Sequence, residues 1–257
     1  MKISAVIIAK DEARHIVACV ESVAFCDEVL VVDSGSTDAT PELARRAGAR
    51  VVVTDWPGYV AQKNRAVSLA AHDWVLSLDA DERVDAALKS AIEALRAGAE
   101  PDAAAYEVRR HTFYLGRWIN HGGWYPEWRA RLFDRRRACW GGIDPHDRVE
   151  AKGRVDRITS GNVEHFTYRS IADHAAQIDR FTTIAAREKL ARGRRGSLVG
   201  MLFHPPWCFF RMYVLRRGFL DGRAGFAIAR LSAHYVFLKY AKVWEGTGYG
   251  RGAPPGA

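Results

Sequence analysis

Cysteine is scarce in this chain: four residues in 257, Cys19, Cys26, Cys139 and Cys208. No two of them sit at metal-ligand spacing, and the chain is too long for a small disulfide-stapled scaffold. They are expected to be reduced and buried, as in a cytosolic protein. Long apolar runs are also missing. Residues 1–9 are apolar, but Lys10-Asp11-Glu12 ends the run too early for a signal peptide or a spanning helix. The turn after that run lacks the glycines of a phosphate-binding loop, which argues against a nucleotidyltransferase. There is no internal repeat. Only the tail after Gly246, dominated by Gly, Pro and Ala, reads as flexible.

What is present describes a folded domain. Hydrophobic residues make up 48% and charged residues 26%, ordinary for a protein with a real core. The net charge of +8 is unevenly spread. From Arg187 onward there are 13 basic and 3 acidic residues, against 25 and 27 before it. All the excess positive charge lies in the last quarter, and an anionic partner is expected there.

The first 110 residues alternate strand and helix patterns. Residues 3–9, 28–33, 50–54 and 73–78 read as strands, the first a continuous apolar run suited to burial on both faces. Residues 13–23, 59–71 and 85–96 read as helices, and a further helix begins near Pro41. This rhythm predicts an α/β fold, a mainly parallel sheet with helices on both faces. Ligands of such sheets bind beyond the carboxyl ends of the strands, where Asp11, Asp33 and Asp79 fall. Residues 103–166 change to short strand-like pieces, and 171–190 return to an amphipathic helix. The stretch 197–244 mixes apolar, aromatic and basic residues and is expected to break at His204-Pro205-Pro206.

Asp79-Ala80-Asp81 follows a buried strand directly. Two carboxylates one residue apart can reach a shared divalent cation, for which hard oxygen ligands are preferred; a solvated acidic turn is the bland alternative. Asp33 suits a hydrogen bond to a nucleobase or ribose, or the capping of a helix. In Gln62-Lys63-Asn64-Arg65, Lys63 suits the charge of a phosphate, while Arg65 equally suits an exposed helix face.

Three segments resemble the ordered motifs of inverting family-2 glycosyltransferases of the GT-A fold. They are Ile7-Ile8-Ala9-Lys10-Asp11-Glu12, Val32-Asp33-Ser34-Gly35-Ser36-Thr37-Asp38 and Asp79-Ala80-Asp81-Glu82. Leu115-Gly116-Arg117-Trp118, then Gly122-Gly123-Trp124-Tyr125-Pro126-Glu127-Trp128, Arg131-Leu132-Phe133 and Gly218-Phe219-Leu220-Asp221-Gly222 are similar to the lipopolysaccharide inner-core β-1,4-glucosyltransferase subgroup. The resemblance implies that Asp11 and Asp33 bind the uridine of a UDP-sugar, with Lys63 and Asp79 beside them. It implies that Asp81 ligates Mg2+ or Mn2+, with His146 a further candidate ligand. A catalytic base is implied in the middle segment, and Glu127 and Asp147 both qualify. Trp124 and Tyr125 are candidates for stacking on the acceptor sugar, with core packing as the alternative.

The expected domains are a GT-A domain over 1–168, divided into a nucleotide-sugar half (1–110) and an acceptor half (111–168). A basic amphipathic helical appendage over 169–246 and a tail over 247–257 follow. The expected activity is transfer of a hexose, glucose from UDP-glucose, to a lipid-linked core saccharide. Another envelope polysaccharide, a protein acceptor, or a non-catalytic membrane-bound scaffold are the alternatives. The basic quarter, with Phe203, Trp207, Phe209 and Phe210 beside Arg211, Arg216 and Arg217, suits an anionic membrane surface at the cytoplasmic inner face. A plain helical cap on the sheet is the competing expectation. No nucleic-acid motif accompanies the charge, and no nucleic-acid partner is expected.

Overall fold

The apolar run at the start becomes β1 (Ile3–Ala9), buried at every position. Beside it lie β2 (Glu28–Asp33), β3 (Arg50–Val53) and β4 (Trp74–Asp79), all parallel. The computed structural model describes residues 1–143 and 146–249; the side chains of Ile143, His146 and Tyr249 lie outside that description. Helices α1 (Ile16–Ser22), α2 (Thr40–Arg46), α3 (Tyr59–Leu69) and α4 (Ala86–Ala97) cover the strands. Helix α1 starts three residues later than its periodicity predicts, and the Ala13 amide ahead of it donates to the Asp38 carboxylate at 3.1 Å. Alternate residues of β1 face two separate cores, Ile3, Ala5 and Ile7 in one and Val6 and Ile8 in the other.

Register brings the strand-end acids to one edge. Ala9 pairs with Asp33 and Ile8 with Asp79, so both acids end their strands on one side of the sheet. The strands that follow are β5 (Glu82–Val84), β6 (Ala105–Tyr114), β7 (Arg117–Trp118) and β8 (Glu127–Asp134). After them come β9 (Ala138–Ile143), β10 (His146–Ala151), β11 (Val155–Arg157) and β12 (Val163–Tyr168). The sheet order is β3-β2-β1-β4-β8-β6-β12-β5, with β7 and β11 also pairing with β6. Strand β8 runs antiparallel to β4, and Trp74 pairs with Asp134, so the start of β8 with Glu127 reaches the edge where β4 ends. Strands β9 and β10 form a separate antiparallel hairpin.

The chain folds as two compact units. The first comprises Met1–Thr112 and Pro126–Phe166; the second comprises Phe113–Tyr125 and the residues from Thr167 onward. This differs from a single cut at 168. The segment 113–125 joins the helices because Tyr114 and Ile119 are buried in a core with Cys208, Met212 and Ile228. The second unit holds α5 (Ile171–Ala191), α6 (Leu198–Phe210) and α7 (Gly222–Trp244), with a π-helical turn at Arg211–Leu215 and a 3-10 turn at Gly218–Asp221.

Two expectations are corrected. Pro205 and Pro206 do not break the chain into separate elements; both lie inside α6. Lacking an N–H, each forgoes a helical hydrogen bond, but the buried Pro205 and Cys208 keep the helix seated. The cysteines are all free, but only Cys19 and Cys208 are buried; Cys139 is exposed on the β9 hairpin strand. The segment Gly218-Phe219-Leu220-Asp221-Gly222 has a structural task. Buried Asp221 accepts from the His121 amide at 2.8 Å and the Asn120 amide at 3.3 Å, which ties the 117–123 loop to the start of α7. Glycine is required at 225, because a Cβ there would collide with the Gly218 carbonyl.

Candidate active site

Two loops beyond the strand ends are laced together by the acids of the first two motifs. Asp11 has φ +54°, a left-handed conformation that costs a non-glycine residue on the order of 1 kcal/mol. Its carboxylate accepts from the Thr37 amide at 2.7 Å and the Thr37 hydroxyl at 3.1 Å, and its own amide donates to Ser36 Oγ at 2.8 Å. Asp33 is fully buried, and accepts from the amides of Gly35 and Ser36 at 3.0 and 2.8 Å and from the Ser36 hydroxyl. Both acids therefore shape the loop 34–37 through their own hydrogen bonds.

Helix α3 ties this edge together with three consecutive side chains. Gln62 donates to Ser34 Oγ at 3.0 Å and Thr54 Oγ1 at 2.9 Å. Lys63 is buried, and its ammonium lies 3.0 Å from Asp79 and 2.7 Å from Asp147. Asn64 exchanges two hydrogen bonds with the Trp140 backbone at 2.8 and 3.0 Å, fixing the β9–β10 hairpin that carries Asp147. Arg65 is half-buried and donates to Asp55 at 2.7 Å and to the Gln62 side-chain carbonyl at 3.2 Å. Two cations approach the Trp140 ring, Lys63 Nζ at 4.3 Å and Arg131 Cζ at 5.6 Å.

The charges of Asp79 and Glu82 are both compensated. Arg131 Nη2 lies 2.6 Å from the fully buried Glu82 and 3.4 Å from Asp79. Glu82 also accepts from the Asp79 amide at 3.1 Å, locking the turn between β4 and β5. Burial alone would raise the Asp79 carboxyl, but the Lys63 ammonium and then the Arg131 guanidinium outweigh it and hold the group far below the usual carboxylate range.

Asp81 meets a partner from much later in the chain. The backbone of Phe166 donates to the Asp81 carbonyl at 2.9 Å, and His165 Nε2 stands 3.3 Å from Asp81 Oδ2. On its other side, His165 Nδ1 is 3.4 Å from the buried Thr112 hydroxyl, which orients the ring. Burial opposes ionisation of Asp81, and His165 more than offsets this, leaving the carboxyl below its ordinary value. Among the described residues no group of three or more His, Cys, Asp or Glu forms a complete metal cage. The Asp81 carboxylate is an oxygen ligand suited to Mg2+ or Mn2+, ions that commonly take one or two carboxylates plus substrate phosphates and water; the His165 imidazole beside it adds a nitrogen donor that Mn2+ tolerates and Mg2+ disfavours.

The two candidate bases occupy different environments. Glu127 accepts from Arg110 at 2.7 Å and from Arg129 at 2.6 Å, one guanidinium on each oxygen. Burial works to raise its carboxyl, but Arg110 and then Arg129 hold it below the usual range. Asp147 accepts from Lys63 through Oδ2, and among the described residues nothing engages Oδ1. The His146 side chain lies outside the described residues. Trp124 and Tyr125 belong to the helical unit. There Trp124 packs with Tyr114, Tyr168 and His174 at centroid distances of 5.7, 6.4 and 6.1 Å and lines a cavity of about 280 Å³.

A parallel sheet ending in paired carboxylates, with a lysine on the adjoining helix, defines a GT-A arrangement. The chain belongs to glycosyl transferase family 2, which it matches over residues 4–152. It is 28% identical to the lipopolysaccharide core biosynthesis glycosyltransferase LpsC of Rhizobium meliloti, over 95% of this chain and 93% of that one. An uncharacterized glycosyltransferase of Rickettsia felis is 32% identical, over 95% of this chain and 90% of the relative. Among solved structures, glucosyl-3-phosphoglycerate synthase from Mycobacterium tuberculosis in complex with Mg2+ and uridine-diphosphate is 26% identical, with a TM-score of 0.34, over 44% of each chain. The chain is thus a family-2 glycosyltransferase related along most of its length to a lipopolysaccharide core enzyme.

Proposed function

We propose that the protein transfers a hexose, glucose from UDP-glucose, to a lipid-linked core saccharide at an anionic membrane surface, with inversion at the anomeric carbon. The observation that carries this is the Asp81–His165 pair beside the Lys63 ammonium that bridges Asp79 and Asp147. Asp81 would hold Mg2+ or Mn2+, with His165 a second donor for Mn2+, and a bound ion would supply positive charge to offset that of the departing diphosphate. Lys63 adds a buried cation on the same side. The loop shaped by Asp11 and Asp33 receives the uridine.

Of the two candidate bases, Asp147 is favoured. Among the described residues its Oδ1 carries no hydrogen bond and could accept the proton of the acceptor hydroxyl, while Lys63 holds the other oxygen. Glu127, with both oxygens held by arginines, instead organises Arg110 and Arg129. Attack by the activated hydroxyl from the face opposite the diphosphate gives the inverted product. Release of UDP from UDP-glucose, dependent on added Mn2+ and stimulated by membrane-extracted glycolipid, is the test.

A further inference from the structure

Helix α6 exposes the side that a water-soluble helix would bury. Leu198, Val199, Leu202, Phe203, Trp207 and Phe210 are each between 44% and 67% exposed. At about 100° per residue they fall within roughly half of the helix circumference. The opposite side, with Pro205 and Cys208, is the buried one. The apolar row continues past the helix through Val214 and Leu215, 44% and 56% exposed. A contiguous apolar strip of this length marks an interaction surface.

The charges around the strip identify its partner. Exposed Arg194 and Arg195 precede α6, and exposed Arg211, Arg216 and Arg217 follow it. No acidic residue occurs between Glu188 and Asp221. An apolar strip bracketed at both ends by cations matches a lipid leaflet, whose acyl boundary takes the apolar side chains and whose phosphates meet the arginines. Thirteen helical residues span about 20 Å, less than the roughly 30 Å of a hydrocarbon core. Among the described residues no helix is long and apolar enough to cross a membrane, so α6 would lie in the plane of the leaflet. A second copy is the poorer fit, because a two-fold contact through this strip brings arginines near arginines.

We infer that α6 and the turn after it form an in-plane membrane helix, with the apolar strip seated in the acyl boundary of an anionic leaflet. The inference rests on assigning the basic quarter to a membrane surface and changes how that surface works: contact with hydrocarbon comes first and charge second, so attachment survives salt that screens the arginines.

The test uses the full chain and vesicles of phosphatidylcholine with phosphatidylglycerol, at low and high salt. The wild type is expected to remain bound at high salt. Leu202→Ser with Phe203→Ser is expected to weaken vesicle affinity by at least about tenfold at both salts. Lipids brominated in the upper acyl chain should quench tryptophan emission, and Trp207→Phe should remove a measurable part of that quenching. Circular dichroism checks that the double variant is folded. Complete release by high salt, or wild-type affinity in the double variant, would overturn the inference. So would a wild-type dimer by light scattering that falls to monomer in the double variant without vesicle binding. Release of UDP from UDP-glucose in vesicle-free solution is read in parallel, so a failure of the catalytic assignment is seen separately.

Discussion

Nε2 of His165 lies 3.3 Å from the Asp81 carboxylate, brought there by the antiparallel pairing of β12 with β5, in which His165 sits opposite Glu82. The pair joins the end of the first sheet half to a strand more than eighty residues later in the chain. Its loss from either side has a measurable consequence. His165→Ala should raise the Mn2+ concentration needed for half-maximal UDP release by on the order of 10- to 100-fold or more. Asp81→Ala should abolish metal-stimulated release. A Mn2+ titration of each variant is the measurement, and unchanged Mn2+ dependence in both would remove the metal assignment.

The candidate bases separate by substitution. Asp147→Asn is expected to lower transfer by about two to four orders of magnitude while UDP still binds. Glu127→Gln should cost less in rate, because its carboxylate is already committed to Arg110 and Arg129. Single-turnover transfer with UDP binding measured by calorimetry decides the order, and a larger loss at Glu127 reverses the assignment.

Much of this was legible in the sequence. The continuous apolar character of residues 3–9 points to a parallel strand buried on both faces, and the acids at 33 and 79 to strand ends on one side of the sheet, because both are local signals. His165 was not legible. Its partner is set by strand pairing across the sheet, whereas the resemblance points to His146, whose side chain lies outside the described residues. Lys63 was expected to serve phosphate; that it also joins Asp79 to Asp147 depends on the hairpin docking that Asn64 provides. The helix through Pro205 and Pro206 was hidden for a similar reason, since tertiary seating of Pro205 and Cys208 overrides local propensity.

Glu82 and Arg131 are both buried and pair at 2.6 Å. Removing one partner leaves an uncompensated buried charge, so Glu82→Gln should destabilise the protein by roughly 3 kcal/mol or more. Replacing Arg131 with Met in the same chain should recover part of that loss. Urea unfolding of both single variants and the double variant checks the coupling; strictly additive losses would contradict it.

His174 is buried, stacked on Tyr168 at 4.1 Å and hydrogen-bonded to Tyr114 at 2.9 Å, and burial lowers its pKa from 6.5 to about 4. Between those values the unfolded chain binds a proton that the folded chain refuses, so stability falls as pH drops through the window. From pH 7 to pH 5 the wild type should lose about 2 kcal/mol relative to His174→Gln, a loss complete below about pH 4. Denaturant midpoints at the two pH values measure it, and parallel behaviour of the two proteins would show that His174 is not held neutral.

The central claim is tested most directly by UDP release from UDP-glucose, with membrane-extracted glycolipid as acceptor and with Mn2+ either added or chelated. Release by the wild-type protein should require Mn2+, rise with the glycolipid, and vanish in Asp81→Ala while that variant keeps its fold by circular dichroism. Release that persists under chelation, or that Asp81→Ala sustains at the wild-type rate, would contradict the account.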